Sequence, residues 1–280
     1  MKIFTTVEDM RAYVKACRNK DHAIGFVPTM GAFHKGHISL MQAARKENDV
    51  VIVSIFVNPL QFCSGEDYDR YPRQTDLDRR ICEAEGVDAV FNPTVAEIYP
   101  KGFDSHVDQG ELPSKLCGPF RPGHFRGVTT VVSKLFNIIL PDAAYFGQKD
   151  YQQTQIIRRL VQDLNFDIKV RMMPIVREDD GLAMSSRNVY LGPKQRREAT
   201  CIYRSLLRAK ELIAKGENDA GKVIQEMRRE IRKTKGARVD YLAITNAETL
   251  ESIREIKGKV LIAVAVRIGK TRLIDNILLG

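Results

Sequence analysis

The chain has 280 residues, of which 44% are hydrophobic and 28% are charged, so it is long enough to bury a sizeable core without disulfides or metals. Its net charge of +9 is concentrated in one segment, since residues 187–240 contain 15 Lys and Arg against 7 Asp and Glu. The longest apolar run near the C-terminus, residues 260–266, is far below the roughly 18 to 20 residues that cross a bilayer, and residues 1–11 contain no apolar signal stretch, so neither a membrane-spanning nor a secreted protein is expected.

The first two thirds of the sequence alternate short apolar runs with longer amphipathic ones, which predicts a parallel sheet covered by helices on both faces. In such sheets, ligands bind beyond the carboxyl ends of the strands. Strands are predicted where β-branched and apolar residues are bounded by polar or turn residues, at 24–29, 50–57, 87–91, 143–146 and 168–175. Helices are predicted between them, at 6–20, 36–47, 67–85, 127–139 and 150–164.

The pattern changes after about Val176, where a polar connection at residues 177–188 leads into a second region. Basic helices are predicted there at 193–215 and 220–235, followed by strands at 239–245, 259–266 and 272–279. We therefore expect an α/β protein with two domains: a Rossmann-like, doubly wound parallel sheet over residues 1–176 and a smaller α+β lid domain over residues 177–280.

The basic segment at residues 187–240 has helical spacing and only two aromatic residues, Tyr190 and Tyr203, which leaves few platforms on which bases could stack. A solvated helix face explains it best, steering of anionic substrates comes next, and nucleic-acid binding comes last. The five cysteines are odd in number and form no Cys-x-x-Cys pair, so neither a disulfide framework nor a zinc site is expected, and a reducing cytoplasm is predicted.

The most informative motif is His34-x-Gly-His37, which lies where a buried strand ends at Thr29 and a helix begins near Gly36. Glycines let the backbone approach a ligand closely, and the start of a helix offers free N–H groups to phosphate. Two imidazoles three residues apart can face the same phosphate and donate hydrogen bonds to an oxygen whose charge grows in the transition state. The alternative is a pair of surface histidines at a helix start.

Two other phosphate-binding motifs are excluded because required residues are missing. The glycine spacing at residues 31–36 is that of a P-loop, but His37 and Ile38 replace the required Lys and Ser or Thr. Residues 269–271 end like a P-loop, but Val264 stands where the first glycine is needed. No Gly-x-Gly-x-x-Gly occurs, so a dinucleotide cofactor is not expected.

A Met-Ser-Ser-Arg run at residues 184–187 offers two hydroxyls and a guanidinium that can bind polyphosphate. Alone it is weak, because Ser-Ser-Arg is common in loops. Together with His34-x-Gly-His37 it resembles the two signatures of the nucleotidylyltransferase superfamily, which includes the class I aminoacyl-tRNA synthetases. That resemblance implies ATP binding, with both motifs beside the phosphates.

Blocks along the whole chain resemble one family within that group, the pantothenate synthetases or pantoate–β-alanine ligases. They lie at residues 28–37, 57–62, 71–73, 121–128, 145–153, 184–187, 239–242 and 269–276. The chain departs from the family pattern at residues 63–65, where Cys-Ser-Gly precedes Glu66, which affects only the expected shape of that loop.

The resemblance implies an ATP-dependent ligase of pantothenate and coenzyme A biosynthesis, which condenses (R)-pantoate with β-alanine. Pantoate is first activated as a pantoyl-adenylate with release of pyrophosphate, and β-alanine then displaces AMP. The substrates would be ATP, pantoate and β-alanine, with Mg²⁺ accompanying the nucleotide although the sequence shows no protein cage for a metal. A homodimer is implied, with neither nucleic acid nor membrane as a partner.

Residue roles are carried over position by position from the family. Catalytic roles are implied for His37, His34, Lys149 and Arg187, with His37 nearer the α-phosphate. ATP contacts are implied for Met30, Gly31, Ala32, Phe33, His34, Lys35, Gly36, His37, Gly147, Gln148, Lys149, Asp150, Val176, Met184, Ser185, Ser186 and Arg187.

Gln61 and Gln153 are implied to bind pantoate and β-alanine, because an amide can donate to one oxygen and accept from another. Asn58 is expected to support this site or the magnesium–phosphate region. Tyr71 and Arg121 are expected either to support the substrate-binding residues or to belong to a lid. Phe146, Val176 and Met184 either border the adenine or simply pack in the core. The remaining hypotheses are an adenylyltransferase acting on a phosphate substrate, which would not need the two glutamines, and a nucleotide- or RNA-binding protein on an inactive synthetase-like fold.

Overall fold

The computed structural model describes residues 1–280, which form two compact units. The first unit comprises Met1–Pro113, Arg121–Gln148 and Gln153–Pro174. The second comprises Ser114–Phe120, Lys149–Gln152 and Ile175–Gly280. Two short segments, Ser114–Phe120 and Lys149–Gln152, thus belong to the second unit although they lie within the sequence of the first.

The first unit is built on a six-stranded parallel sheet. Its strands are β1 Lys2–Phe4, β2 Ile24–Thr29, β3 Val50–Ile55, β4 Ala89–Phe91, β5 Ala143–Gly147 and β6 Lys169–Met173, and they lie in the order β1-β4-β3-β2-β5-β6. From β2 the chain runs outward through β3 and β4, and it then returns to place β5 on the other side of β2. This reversal creates the crevice at which such sheets bind ligands. The predicted fold class is confirmed.

Helices cover both faces of this sheet, so its central strands are apolar on both sides. Ile52 of β3 packs with one face, whereas its neighbours Val51 and Val53 pack with the other. The helices of this unit are α1 Val7–Arg18, α2 Lys35–Glu47, α3 Thr75–Ala84, α4 Val95–Ile98, α5 His124–Ile139 and α6 Tyr151–Asp163, the last beginning at the boundary with the second unit. The first face carries α1, α5 and α6, and the second carries α2 and α3.

The second unit is an antiparallel sheet covered by helices, with a core of its own that includes Leu206, Met227 and Val264. The sheet consists of β7 Ala237–Asn246, β8 Val260–Ile268 and β9 Thr271–Leu279, and the helices are α7 Pro193–Glu198, α8 Cys201–Ala214 and α9 Ala220–Arg232. None of the helices in the chain is both long enough and apolar enough to cross a membrane.

Several predicted boundaries are wrong. The helix expected over residues 67–85 begins only at Thr75, because Pro72 lacks an N–H and disfavours helical backbone at the residue before it. The helix expected over 193–215 is divided into α7 and α8. The strand expected to reach residue 57 ends at Ile55, and the short elements β1 and α4 were not predicted at all.

Helix α5 packs unusually closely against the one-turn helix Pro59–Gln61, and Gly127 makes this possible. A Cβ atom at Gly127 would lie 2.2 Å from the Leu60 carbonyl oxygen and 2.7 Å from the Gln61 nitrogen. The Gly127 carbonyl oxygen also accepts a hydrogen bond from Asn58 Nδ2 at 3.1 Å. The absence of a side chain at residue 127 therefore determines where the loop that carries Gln61 can lie.

Replacing Gly127 with Ala should lower the free energy of unfolding by about 1 to 3 kcal/mol, because the new methyl group meets backbone atoms that cannot rotate away. Urea unfolding followed by circular dichroism measures the change. Gly110→Ala is the matched control, since a Cβ there meets nothing within 4 Å. Equal stability of the two variants would show that the loop moves freely.

Candidate functional site

Three adjacent parallel strands, β3, β2 and β5, carry predicted site residues just beyond their carboxyl ends. His34 and His37 follow β2, Gln61 follows β3, and β5 ends at Gly147 with Gln148 next. Because the strands are parallel neighbours, these loops leave the same edge of the sheet. The first unit thus places three of the segments predicted to bind ATP or pantoate at the edge where ligands bind in this fold.

The turn between β2 and α2 has a left-handed backbone at two consecutive residues, Gly31 with φ +79° and Ala32 with φ +53°. Asp78 of α3 holds this turn. Its carboxylate accepts the Ala32 N–H at 2.8 Å through Oδ2 and the Phe33 N–H at 2.8 Å through Oδ1. A Cβ at Gly31 would lie 2.8 Å from Asp78 Oδ2, so the carboxylate approaches as closely as a glycine allows.

Asp78 was not predicted as a site residue, since one acidic residue on a predicted helix carries no local signal. It is 1% exposed. Burial raises the pKa of its carboxyl above the usual value, although the two backbone hydrogen bonds act in the opposite direction. Burying a carboxylate costs free energy, and here the two N–H groups that it accepts offset that cost. The presence of Asp78 therefore indicates that the protein needs this conformation of the turn.

The two histidines form a reciprocal cap at the start of α2. His34 is the N-cap residue, and its Nδ1 accepts the Gly36 N–H at 3.1 Å. The Nδ1 of His37 accepts the His34 N–H at 3.3 Å, and the ring centroids are 4.2 Å apart. Because Nδ1 is the acceptor in each ring, the neutral imidazoles carry their protons on Nε2. Each histidine is thereby set up as an Nε2–H donor. The first turn of α2 contains no acidic residue.

The loop after β3 is held through Gln61 in two ways. The Gln61 side chain accepts a hydrogen bond from Asn58 Nδ2 at 3.0 Å, and Asn58 itself is 1% exposed. The Gln61 carbonyl oxygen lies 2.7 Å from His124 Nδ1 and 3.3 Å from Arg121 Nη2. Arg121 Nη1 lies 2.8 Å from His124 Nε2 and can only donate, so the His124 proton sits on Nδ1 and points at Gln61.

Arg121, which was expected to support this site, is itself fixed by a two-pronged ion pair with Glu66. The distances are 2.6 Å from Nε and 2.7 Å from Nη2 to the two carboxylate oxygens. Burial alone would raise the pKa of the Glu66 carboxyl, but the hydrogen bonds and charge of Arg121 outweigh it, and the pKa lies below its usual value. Tyr71, also expected here, is a buried residue with 6% exposure. Gln153 lies half-buried on α6.

The other predicted nucleotide-binding residues belong to the second unit. Lys149 Nζ pairs with Asp150 Oδ2 at 3.0 Å, and the Lys149 carbonyl oxygen accepts a hydrogen bond from Asn276 at 3.0 Å. In the segment that follows β6, Met184 N–H donates to the Val176 carbonyl oxygen at 3.0 Å. Ser185 caps a 3-10 helix, Ser186–Tyr190, which contains Ser186 and Arg187.

The loop that carries Met184 to Arg187 is anchored by one buried charge pair and by a partly exposed cluster of charges. Arg177 makes a two-pronged pair with Asp275, which is 2% exposed, at 2.5 and 2.9 Å. Burial raises the pKa of Asp275 above its usual value even though Arg177 acts against that rise. Arg196 of the basic segment joins Glu178 and Asp180 at 2.6 Å each. Part of the basic segment therefore braces this loop rather than facing solvent.

Other basic side chains of that segment pair along or between α8 and α9, as in Arg204 with Glu230 and Arg208 with Glu211. This pairing on exposed helices fits the solvated helix face that was predicted for residues 187–240. Phe146 is 5% exposed and packs in the apolar core, which is the alternative role named for it. All five cysteines are free, and no group of three or more His, Cys, Asp or Glu side chains is placed to hold a metal ion.

Comparison with known proteins gives consistent matches over the full chain. Residues 2–278 match the family model described as pantoate-beta-alanine ligase. Pantothenate synthetase of Thermotoga petrophila is 53% identical over 280 residues, which is all of both chains. The crystal structure of pantothenate synthetase from Thermus thermophilus is similar with a TM-score of 0.95 and 45% identity, covering 99% of each chain.

A third similar protein has been crystallised with ligands. It is pantoate-beta-alanine ligase from Francisella tularensis, complexed with beta-gamma ATP and beta-alanine. The similarity has a TM-score of 0.81 and 37% identity and covers 99% of this chain and 97% of that one.

Replacing Asp78 with Asn should weaken ATP binding by about tenfold, because an amide offers one acceptor for two N–H groups and turns its own NH₂ toward the other. Isothermal titration calorimetry with ATP measures the affinity, and urea unfolding should show a loss of about 1 to 3 kcal/mol. Asp76→Asn is the matched control, since Asp76 lies exposed on the same helix. Unchanged ATP affinity in a folded Asp78→Asn protein would contradict the assigned role.

Proposed function

The chain belongs to the pantoate–β-alanine ligase family, and from this premise we propose that it condenses pantoate with β-alanine at the expense of ATP. The reaction forms pantothenate, AMP and pyrophosphate. The observation that carries the proposal is the reciprocal histidine cap at the start of α2, in a chain that matches the family over residues 2–278.

The reaction needs two steps because a carboxylate is a poor electrophile. In the first, a pantoate carboxylate oxygen attacks the α-phosphorus of ATP, and the bond to the pyrophosphate leaving group breaks. In the second, the β-alanine amine attacks the acyl carbon of the pantoyl-adenylate, and AMP leaves with the electron pair of the C–O bond. Both steps depend on holding anions together and on donors placed where negative charge grows, so positioning and electrostatics outweigh covalent catalysis.

His34 and His37 suit the stabilisation of negative charge because the hydrogen bonds to their Nδ1 atoms leave the ring proton on Nε2, where it can be donated. Their Nδ1 atoms are already used to cap α2, which prevents the rings from turning over to present an acceptor. We assign His37 to the α-phosphate side and His34 to the neighbouring phosphates. Neither histidine acts as a nucleophile in this scheme. Further ATP contacts are assigned to residues 30–33 in the turn before the histidines and to Lys35 and Gly36 in the first turn of α2.

Roles of the remaining residues follow from family position. Gln61 and Gln153 are assigned to pantoate and β-alanine, and Gly147 and Asp150 to the ribose. Val176 and Met184 are assigned to the adenine. Phosphate contacts are assigned to Gln148, Lys149, Ser185, Ser186 and Arg187. The two charge pairs that brace the loop of the second unit support the last three of these assignments, because they limit its freedom before a ligand arrives.

Magnesium is proposed to enter as part of the Mg–ATP complex, since this hard cation prefers phosphate oxygens and water as ligands. Residues 1–176 are proposed to act as the ATP- and pantoate-binding domain and residues 177–280 as a lid. We further propose a cytoplasmic homodimer. Five free cysteines suit a reducing compartment, and light scattering after size exclusion tests the dimer.

Exchange of labelled pyrophosphate into ATP tests the proposed reaction directly. Exchange should require pantoate, because only the carboxylate attack releases pyrophosphate reversibly, and AMP release should require β-alanine as well. An adenylyltransferase acting on a phosphate substrate would exchange without pantoate. Exchange that is indifferent to pantoate would therefore rule out the proposed function.

Replacing His37 with Ala should lower kcat by about 10²- to 10³-fold, the usual loss when one preorganised donor is removed. Loss of its part in the cap should also lower stability by about 0.5 to 2 kcal/mol. Steady-state kinetics and thermal unfolding separate the two effects. His22→Ala is the control, because His22 precedes the opposite end of β2. A near-normal kcat with lowered stability would leave His37 with a structural role only.

A further inference from the structure

The polar contacts of Asn58 are complete and allow only one orientation of its amide. Nδ2 donates to Gln61 Oε1 at 3.0 Å and to the Gly127 carbonyl oxygen at 3.1 Å. Oδ1 accepts from the Tyr99 hydroxyl at 2.8 Å and from the Leu60 N–H at 3.3 Å. Turning the amide over would set oxygen against the Gly127 oxygen and NH₂ against the Leu60 N–H, so the observed orientation is the stable one.

Tyr99 supplies a side-chain donor to this arrangement from the end of α4. Its ring lies beside Phe56 and Phe103, with centroid distances of 6.0 and 4.8 Å, which limits its rotation. Burial raises the pKa of its hydroxyl above the ordinary value, so the proton that it donates stays in place throughout the neutral range. The hydrogen bond therefore runs in one direction, from Tyr99 to Asn58.

The consequence reaches Gln61, whose Oε1 is occupied by Asn58. Its NH₂ group then faces the other way, where it lies 3.2 Å from the sulfur of Met30 in the β2–α2 turn. A thioether is a weak acceptor, so the Gln61 NH₂ group forms a stronger hydrogen bond when a substrate oxygen takes the place of the sulfur. Gln61 is half-buried at that position.

We propose that Tyr99 and Asn58 form a hydrogen-bond relay that sets the polarity of the Gln61 amide, so that Gln61 presents its NH₂ to pantoate. The inference rests on the proposed function, in which Gln61 binds pantoate. Tyr99 and Asn58 are positioning residues that act through Gln61. The relay makes the site selective for a substrate with an oxygen acceptor at this place and unfavourable for one that presents only a donor.

The premise is tested first. Wild-type protein must show pantoate-dependent pyrophosphate exchange, and Gln61→Ala must raise KM for pantoate far more than KM for ATP. Failure of exchange would overturn the proposed function, and equal effects on both Michaelis constants would overturn the assignment of Gln61. With both results in hand, the relay is tested separately.

Tyr99→Phe removes only the hydroxyl. We expect KM for pantoate to rise about three- to tenfold, the effect of one lost hydrogen bond, with kcat and KM for ATP changed less than about twofold. Tyr145→Phe is the matched control, because that buried hydroxyl bonds Asn48 and Glu47 at the end of α2 instead. A KM for pantoate that stays within twofold in Tyr99→Phe, or that rises together with KM for ATP, would overturn the relay.

Asn58→Asp reverses the relay, because a carboxylate can still accept from Tyr99 and Leu60 but has no N–H for Gln61. Gln61 then turns its NH₂ toward residue 58 and presents its oxygen to pantoate. We expect kcat/KM for pantoate to fall more than about 100-fold in a protein that still melts cooperatively. A folded Asn58→Asp protein with normal use of pantoate would overturn the proposal. If this variant does not fold, Tyr99→Phe alone decides.

Discussion

The conformation of the β2–α2 turn depends on one buried carboxylate. Asp78 reaches from α3 to accept hydrogen bonds from two successive N–H groups, which compensates for the strain of a left-handed alanine next to a left-handed glycine. The direction in which α2 leaves the sheet depends on this turn, and the two histidines are positioned by α2. The proposed chemistry at phosphorus thus rests on a residue that touches neither phosphate nor histidine.

The atoms that the first unit offers to ligands are determined by the hydrogen bonds that the protein makes on their far side. Backbone N–H groups occupy the Nδ1 atoms of His34 and His37, which leaves donors on Nε2. Asn58 occupies the oxygen of Gln61, which leaves a donor on its nitrogen. Anionic substrates need hydrogen-bond donors. In this unit the donors are available because the protein's own N–H groups already occupy the acceptor atoms of the same side chains.

The sequence predicted the central elements well, because the β-branched strands and the glycine-rich turn leave local patterns. The prediction is wrong at residues 67–74, where the apolar spacing is helical but Pro72 interrupts the helix. The role of Asp78 could not be predicted from the sequence, because its hydrogen-bond partners lie 45 and 46 residues earlier in the chain. The resemblance to a family supplied Gln61, but the orientation of its amide depends on Tyr99, 41 residues from Asn58, and only the folded chain shows that contact.

The histidine cap also has an electrostatic consequence. In the common capping box, a hydroxyl caps the start of a helix and a Glu three residues later places a carboxylate near the partial positive charge of about +0.5 at the end of the helix dipole. In α2 both capping groups are neutral imidazoles, and the first turn contains no acidic side chain. The cap therefore satisfies backbone N–H groups without a carboxylate from the first turn of α2 itself. A polyphosphate that approaches this end of the helix meets no repulsion from an acidic side chain of that turn.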